Sequence, residues 1–247
     1  IVSWNLKDFG KSKSDDEIEF IAETVRSFDV IAIQEVVAGY GGPQAVAKLV
    51  SALNRTGSKW DYLLSDPTSS INGHSRERYA FIWKPSKIKK VGDGWLEKKY
   101  HREIEREPFL LEFSSNGKNF TLVNFHAVAK SKQPATEIKY FKFFPELYKD
   151  HNLIFAGDFN LPQSHSVYKP LRSLGFSSAL IGQKTSLRQE CLDNDCLASE
   201  YDNFFFLESK FRTGKAGIIH FYESFPSLAE ARSISDHVPI FYSFSLN

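Results

Sequence analysis

The 247-residue chain contains no methionine, two cysteines, no internal repeat and no low-complexity tract. It opens inside a strand-like run, Ile-Val-Ser-Trp, without an initiator residue. Its natural start is therefore expected upstream, where a cleaved leader would fit. No apolar run approaches the roughly 18 residues that a membrane-spanning helix needs, which excludes stable insertion through a helix. Charge of one sign is also missing, with 31 Lys and Arg against 30 Asp and Glu and a net charge of +1. That balance excludes a strongly basic nucleic-acid coat protein. It still allows a nuclease, whose affinity can come from a local patch and a metal. Cys191 and Cys196 have no second Cys or His pair beside them, which argues against a zinc site. Their spacing fits a small-loop disulfide or two free thiols. The disulfide reading leans toward an oxidising, secreted or periplasmic compartment.

What is present is ample core material: 42% apolar residues and 22 Phe. With no linker in the chain, one domain over residues 1–247 is expected. Strand-like runs occur at Ile1 to Leu6, Val30 to Glu35, Trp60 to Leu64, Tyr79 to Trp83, Phe109 to Phe113, Phe120 to His126, Leu153 to Ala156, Tyr201 to Phe206, Gly217 to Phe221 and Val238 to Phe244. Asn116-Gly117 is a hairpin turn signal. Ser14 and Glu17 form a capping-box pattern before helical spacing at Ile18, Ile21, Ala22 and Val25. A second helix is expected from Pro43, a third over Ala135 to Tyr148 with Pro145 as kink or end, and a short one at Val167 to Leu174. The basic stretch from Lys84 to Arg106 reads as a solvated loop or as a DNA contact. Strands with helices between them predict an α/β (α+β) domain whose sheet faces are covered by helices.

Several apolar runs end in residues suited to metal or phosphate: Asn5, Glu35, His126, and Asp158 with Asn160; Asp236 and His237 precede the last run. A buried carboxylate is costly unless it is paired or binds a cation. Glu35 alone, or Asp236 alone, is as well explained by a solvent-exposed position. Together with the Asn5 amide oxygen they suit a hard cation such as Mg²⁺. Gly157-Asp158-Phe159-Asn160 would orient Asp158 and Asn160 the same way if extended, one toward a water and the other toward a phosphate oxygen; a plain turn is the bland alternative. A lone His after an apolar run is more often structural than catalytic. His126 and His237, with Glu77 and Asp202 available as acidic partners, shift that balance, although spacing does not say which acid meets which ring.

The ordered set resembles the endonuclease/exonuclease/phosphatase superfamily, and within it the deoxyribonucleases of the pancreatic type. The resemblance runs nearly end to end: Trp4-Asn5-Leu6-Lys7, Ile33-Gln34-Glu35-Val36, Glu77-Arg78-Tyr79, Trp83-Lys84-Pro85, Arg106-Glu107-Pro108, His126, Gly157-Asp158-Phe159-Asn160, Tyr201-Asp202 and Ile234-Ser235-Asp236-His237. It implies a four-layer αββα sandwich of two mixed sheets packed face to face. Glu35, Asp236 and Asn5 would hold Mg²⁺ or Mn²⁺. Asp158 and Asn160 would flank the scissile phosphate, His126 would pair with Glu77 and His237 with Asp202, and Lys7, Arg76 and Arg106 would meet phosphates. The implied enzyme is a monomeric, metal-dependent phosphodiesterase cutting DNA with little sequence specificity.

The chain also departs from that pattern. The deoxyribonucleases place Arg after Gln-Glu-Val and Tyr two residues before the Glu of Glu-Arg-Tyr, where this chain has Val37 and Ser75. Residues of the calcium loop are not recognisable around 185–195, so no calcium is expected there. The departures keep open a phosphoesterase acting on a phospholipid, phosphoinositide or nucleotide. Abasic-site repair fits less well, since repair relatives carry Tyr at the position of His126. A non-catalytic module fits least, because each expected site position holds a competent residue.

Overall fold

A computed structural model describes residues 1–70 and 76–247. In chain order the elements are β1 (Val2–Phe9), α1 (Asp15–Val25), β2 (Val30–Val37), α2 (Gly41–Arg55), β3 (Asp61–Leu64), β4 (Glu77–Trp83), β5 (Lys89–Leu96), β6 (Phe109–Ser115) and β7 (Lys118–His126). The second half carries α3 (Ala135–Ile138), α4 (Phe144–Leu147), β8 (Leu153–Asp158), α5 (Lys169–Ser173), β9 (Phe176–Ser178), β10 (Leu187–Leu192), β11 (Asp195–Leu197), β12 (Asp202–Leu207), β13 (Phe211–Ile218), α6 (Leu228–Ile234) and β14 (Ile240–Leu246). One six-stranded sheet runs β13-β14-β1-β2-β4-β3, the other β5-β6-β7-β8-β12-β9, and β10-β11 form a separate hairpin.

The expected four-layer sandwich is what forms, and residue alternation explains it. Along β2, Val30 and Ala32 face the other sheet and pack with Phe81, Phe113, Leu122 and Ile154. Ile31, Ile33 and Val36 face outward and pack with Ile18 and Ile21 of α1, Leu49 of α2 and Ile234 of α6. The far face of the second sheet is covered by Ile138, Phe144 and Leu171 from the short helices. A strand buried on both faces must be apolar throughout, which is why these runs do not alternate with polar residues. Helix α1 starts where the capping box is complete: Ser14 Oγ accepts from Glu17 N at 3.2 Å and Glu17 Oε2 accepts from Ser14 N at 2.8 Å. Removing that cap by Ser14→Ala should cost about 1 kcal/mol.

The structure differs from the sequence reading where propensity is weak. The third helix is broken into α3 and α4 by a 3₁₀ turn, with Pro145 inside the first turn of α4. Part of the basic stretch from Lys84 to Arg106 is the edge strand β5, its lysines in solvent. Residues Phe221–Ser224 form a 3₁₀ turn beyond the end of β13. Short elements β9, β10, β11 and α6 carry too few residues for a clear period. Cys191 and Cys196 are disulfide-bonded across the β10–β11 turn, where Asp193 and Asn194 both take positive φ.

Each sheet contains one parallel pair at its centre, β1 with β2 and β7 with β8. Parallel neighbours end on the same side. Asn5 and Glu35 therefore leave the first sheet, and His126 and Asp158 the second, along one edge of the sandwich.

Candidate active site

The two strand pairs reach this edge by different local devices. Between β2 and β4 the register shifts from Ile33↔Ala80 to Val36↔Arg78, so Gln34 and Glu35 oppose Tyr79 alone. Such a bulge re-aims a side chain, and Glu35 sits in it with φ +60°. On the second sheet, Gly157 has φ +135°, and a Cβ there would lie 2.0 Å from Phe125 O. Only glycine allows β7 and β8 this close, which brings His126 level with Asp158 in the register. Asn160 is not extended, as the sequence suggested. It takes φ +52°, and this turn folds its amide back to 3.3 Å from Asp158 Oδ2.

Asp158 Oδ2 is the hub of the arrangement. Asn5 Nδ2 donates to it at 3.1 Å, and His126 Nε2 and His237 Nε2 lie 3.5 and 3.7 Å away. Asp158 Oδ1 accepts from Asn160 N at 2.9 Å. Burial pushes the Asp158 carboxyl above its usual range, and the imidazoles work against that shift. Each ring is backed by a second acid. His126 Nδ1 lies 3.0 Å from both oxygens of Glu77, and His237 Nδ1 lies 2.7 Å from Asp202 Oδ2.

The two imidazole–acid pairs have opposite charge preferences. Burial alone would lower the His237 value, but the Asp202 and Asp158 carboxylates outweigh it and raise it well above 6.5. His237 is thus an imidazolium at neutral pH. Burial, reinforced by the Arg106 guanidinium, lowers His126 to about 4, so its ring is neutral. Glu77 is raised by burial to about 7 against the pull of Arg106.

The surrounding residues hold these groups in place. Thr185 Oγ1 donates to Asp202 Oδ2 at 2.7 Å, and Tyr79 Oη accepts from His126 N at 3.2 Å. Ser235 Oγ donates to Asn5 O at 2.5 Å and accepts from His237 N at 3.0 Å. Lys13 Nζ donates to Ser233 O and Ile234 O at 2.5 and 2.9 Å, tying down the end of α6 before Asp236. No local pattern marks Thr185 or Lys13 in the sequence, because their partners are remote; Tyr79 stands in the Glu77-Arg78-Tyr79 motif.

Asp158, Asp202 and His237 are close enough to look like a metal cage. Asp202 and His237 are already joined in the Thr185–Asp202–His237 chain, and Asp158 Oδ2 accepts from the Asn5 and Asn160 amides, so they are poor ligands. Asn5 Oδ1 is the better indication: it is buried and has no hydrogen-bond partner among the described residues. An orphaned amide oxygen carries a desolvation cost that a cation would relieve. Glu35 Oε1 accepts from Asn5 Nδ2 at 3.0 Å, while Glu35 and Asp236 line the same cleft. The donor set of Asn5, Glu35 and Asp236 therefore fits a hard divalent cation.

That cleft has a volume of about 280 Å³ and is also lined by Asn160, Arg106 and Lys132. Arg106 is less free than expected: its guanidinium donates to His126 O at 3.0 Å and to Ala127 O, and lies 3.5 Å from Glu77. Lys132 is exposed and was missed, because it follows His126 by six residues through an irregular turn. Lys7 and Arg76 are exposed beside the same strand ends, while Ser75 lies outside the described residues. Lys11 and Tyr40 stand near Val37, with Lys11 Nζ 4.0 Å above the ring of Tyr40, which is 68% exposed. A groove of about 350 Å³ between Ile1, Lys118 and Phe244 has one acid, Asp29, and no histidine, so it lacks comparable chemistry.

Residues 2–237 match the endonuclease/exonuclease/phosphatase family. The chain is 26% identical over 267 residues to a deoxyribonuclease of Thioalkalivibrio sp. (strain K90mix), covering all of this chain and 71% of that protein. It is 25% identical over 260 residues to deoxyribonuclease-1 of Bos taurus, covering 97% and 90%. Among solved structures, a mannosyl-6-phosphatase of Bacteroides thetaiotaomicron superposes with a TM-score of 0.69 at 17% identity, covering 99% and 98% of the two chains.

Proposed function

The chain belongs to the endonuclease/exonuclease/phosphatase family, whose members hydrolyse phosphodiesters or phosphate esters, and from that premise we propose that it is a divalent-cation-dependent DNA endonuclease of little sequence specificity. The observation that carries the proposal is the convergence of two oppositely tuned imidazoles on Asp158 Oδ2, beside the orphaned Asn5 amide oxygen and a cleft that also holds Glu35, Asp236 and Lys132. The near full-length likeness to deoxyribonucleases supports DNA as the substrate.

Two titrating groups whose environments push them apart divide acid from base. His237, cationic, donates from Nε2 to the leaving oxygen and balances charge on the phosphate. Neutral His126 accepts a proton as water attacks, with Glu77 orienting its ring. Asp158 positions that water, and the Asn160 amide exchanges one of its long bonds to Asp158 Oδ2 and Ala127 O for a phosphate oxygen. Asn5, Glu35 and Asp236 hold Mg²⁺ or Mn²⁺, which when bound neutralises phosphate charge. Lys7, Arg76 and Lys132 meet flanking phosphates, and Arg106 acts chiefly by bracing Glu77. None of these contacts reads a base edge, so little sequence preference follows.

A plasmid-nicking assay with and without chelator tests the proposal. Nicking that stops with chelator and returns with Mg²⁺ or Mn²⁺ is expected. Intact plasmid in both metals overturns it. A second reading, a phosphoesterase acting on a phospholipid, phosphoinositide or nucleotide, draws on the apolar Val37 at the rim and on the phosphatase of similar fold. Turnover of such a substrate without cleavage of DNA would favour it.

A further inference from the structure

Two side-chain amides buried between the sheets, Gln34 and Asn124, have no part in the chemistry above. Asn124 on β7 reaches across to the first sheet. Its Nδ2 donates to Ile33 O at 3.1 Å and to Ala80 O at 3.3 Å. Those two bonds decide which end of the amide faces Gln34. Asn124 Oδ1 must accept, and it does so from Gln34 Nε2 at 2.6 Å. Gln34 Nε2 also donates to Ser3 Oγ at 3.0 Å, which leaves Gln34 Oε1 buried with no partner among the described residues. The surroundings of Asn124 are otherwise the apolar inter-sheet core, including Ala32, Phe81 and Ala156. Apolar side chains at both positions would fill that space without the orphaned Gln34 Oε1, so packing alone does not account for the amides.

Their position suggests what they do. Ile33 and Ala80 form the last regular pair of β2 and β4 before the bulge. Asn124 bridges the carbonyls of that pair, and Gln34 is itself a bulge residue. The next residue is Glu35, in a left-handed conformation that a side chain with Cβ disfavours. A backbone in such a state persists only when its surroundings over-determine it. Without the amide bridge, β2 could run on in regular register past Tyr79 and turn Glu35 out of the cleft. The bridge also joins the sheet that carries Asn5 and Glu35 to the one that carries His126 and Asp158.

We propose that Asn124, acting with Gln34, is a positioning residue: it holds the β2 bulge from the opposite sheet and so keeps Glu35 aimed at the cation. This rests on the reading of Asn5, Glu35 and Asp236 as the cation site. The test is Mn²⁺ binding measured by equilibrium dialysis, which needs no turnover. Asn124→Leu, shown to be folded by circular dichroism, should weaken Mn²⁺ binding about 10–100-fold, the range for residues that orient metal ligands. Leu122→Ala, which opens the same core two residues away, should lower stability and leave Mn²⁺ affinity unchanged. Asn124→Leu added to Glu35→Gln should weaken binding no further. If Asn124→Leu does not fold, Gln34→Met replaces it with the same expectation. Parental affinity in the folded variant, or an equal loss in Leu122→Ala, overturns the positioning role. A parent protein that binds no Mn²⁺ overturns the cation reading along with it.

Discussion

Replacing Asp202 by Asn removes one negative charge and keeps the side-chain shape. Asp202 Oδ2 receives both His237 Nδ1 and Thr185 Oγ1 at 2.7 Å, and the group is buried. The two carboxylates hold His237 protonated against burial. Without the nearer one, burial gains weight and the imidazole falls toward or below its ordinary value. At about pH 8 a histidine near 6.5 is only about 3% protonated, so the active imidazolium would drop roughly 30-fold. Misorientation of the ring adds to this, and complete loss of a transition-state stabiliser costs about 2.7–4 kcal/mol, or roughly 10²–10³ in rate. The expected loss for Asp202→Asn therefore lies between those two figures at mildly alkaline pH. The sign of its pH dependence follows from His237: its raised value lets the parent act well above 6.5, whereas the variant should recover as pH falls toward 6. The assay is the initial rate of plasmid nicking across pH in a fixed excess of Mg²⁺. A variant with the parental rate and profile, or one whose deficit is the same at every pH, would refute the assignment of His237 as a working imidazolium.

Lys132→Met should raise KM for DNA more than it lowers kcat. If Lys132 neutralises one phosphate, the slope of log affinity against log salt should become shallower by about 0.9, and an unchanged slope would remove it from the phosphate contacts. Replacing Cys191 and Cys196 together by Ser opens a short loop and should cost about 2 kcal/mol in denaturant unfolding under oxidising conditions; a loss of more than twice that would mean the hairpin supports far more of the fold than its own contacts. Gly157→Ala places a methyl 2.0 Å from Phe125 O at an unfavourable φ. Soluble folded protein should drop sharply, with nicking lost in what remains; a stable variant of parental activity would show that β7 and β8 can separate without disturbing His126 and Asp158.

The parts of this molecule that were legible in its sequence are those set by neighbours in the chain. The capping box at Ser14 and Glu17, the turn at Asn116-Gly117 and the doubly apolar β2 each follow from contacts a few residues long. The fragmented helix over 135–147 and the strand β5 were misjudged, because their ends are set by packing rather than by propensity. The positive φ at Glu35 gave no local sign, since glutamate rarely adopts it, whereas Asn160 is a residue type that tolerates it and lay in a segment with a turn reading.

The sequence by itself determined which chemical groups stand at the ends of the buried strands, because strand burial and side-chain type are local properties. It also carried enough ordered motif to place the chain in its family. Only the tertiary structure decided that one carboxylate oxygen would face both imidazoles, that Arg106 would be spent on Glu77, and that His126 and His237 would differ in charge. Those outcomes depend on desolvation and on distances between residues tens of positions apart in the chain, which are fixed only once the two sheets have closed on each other.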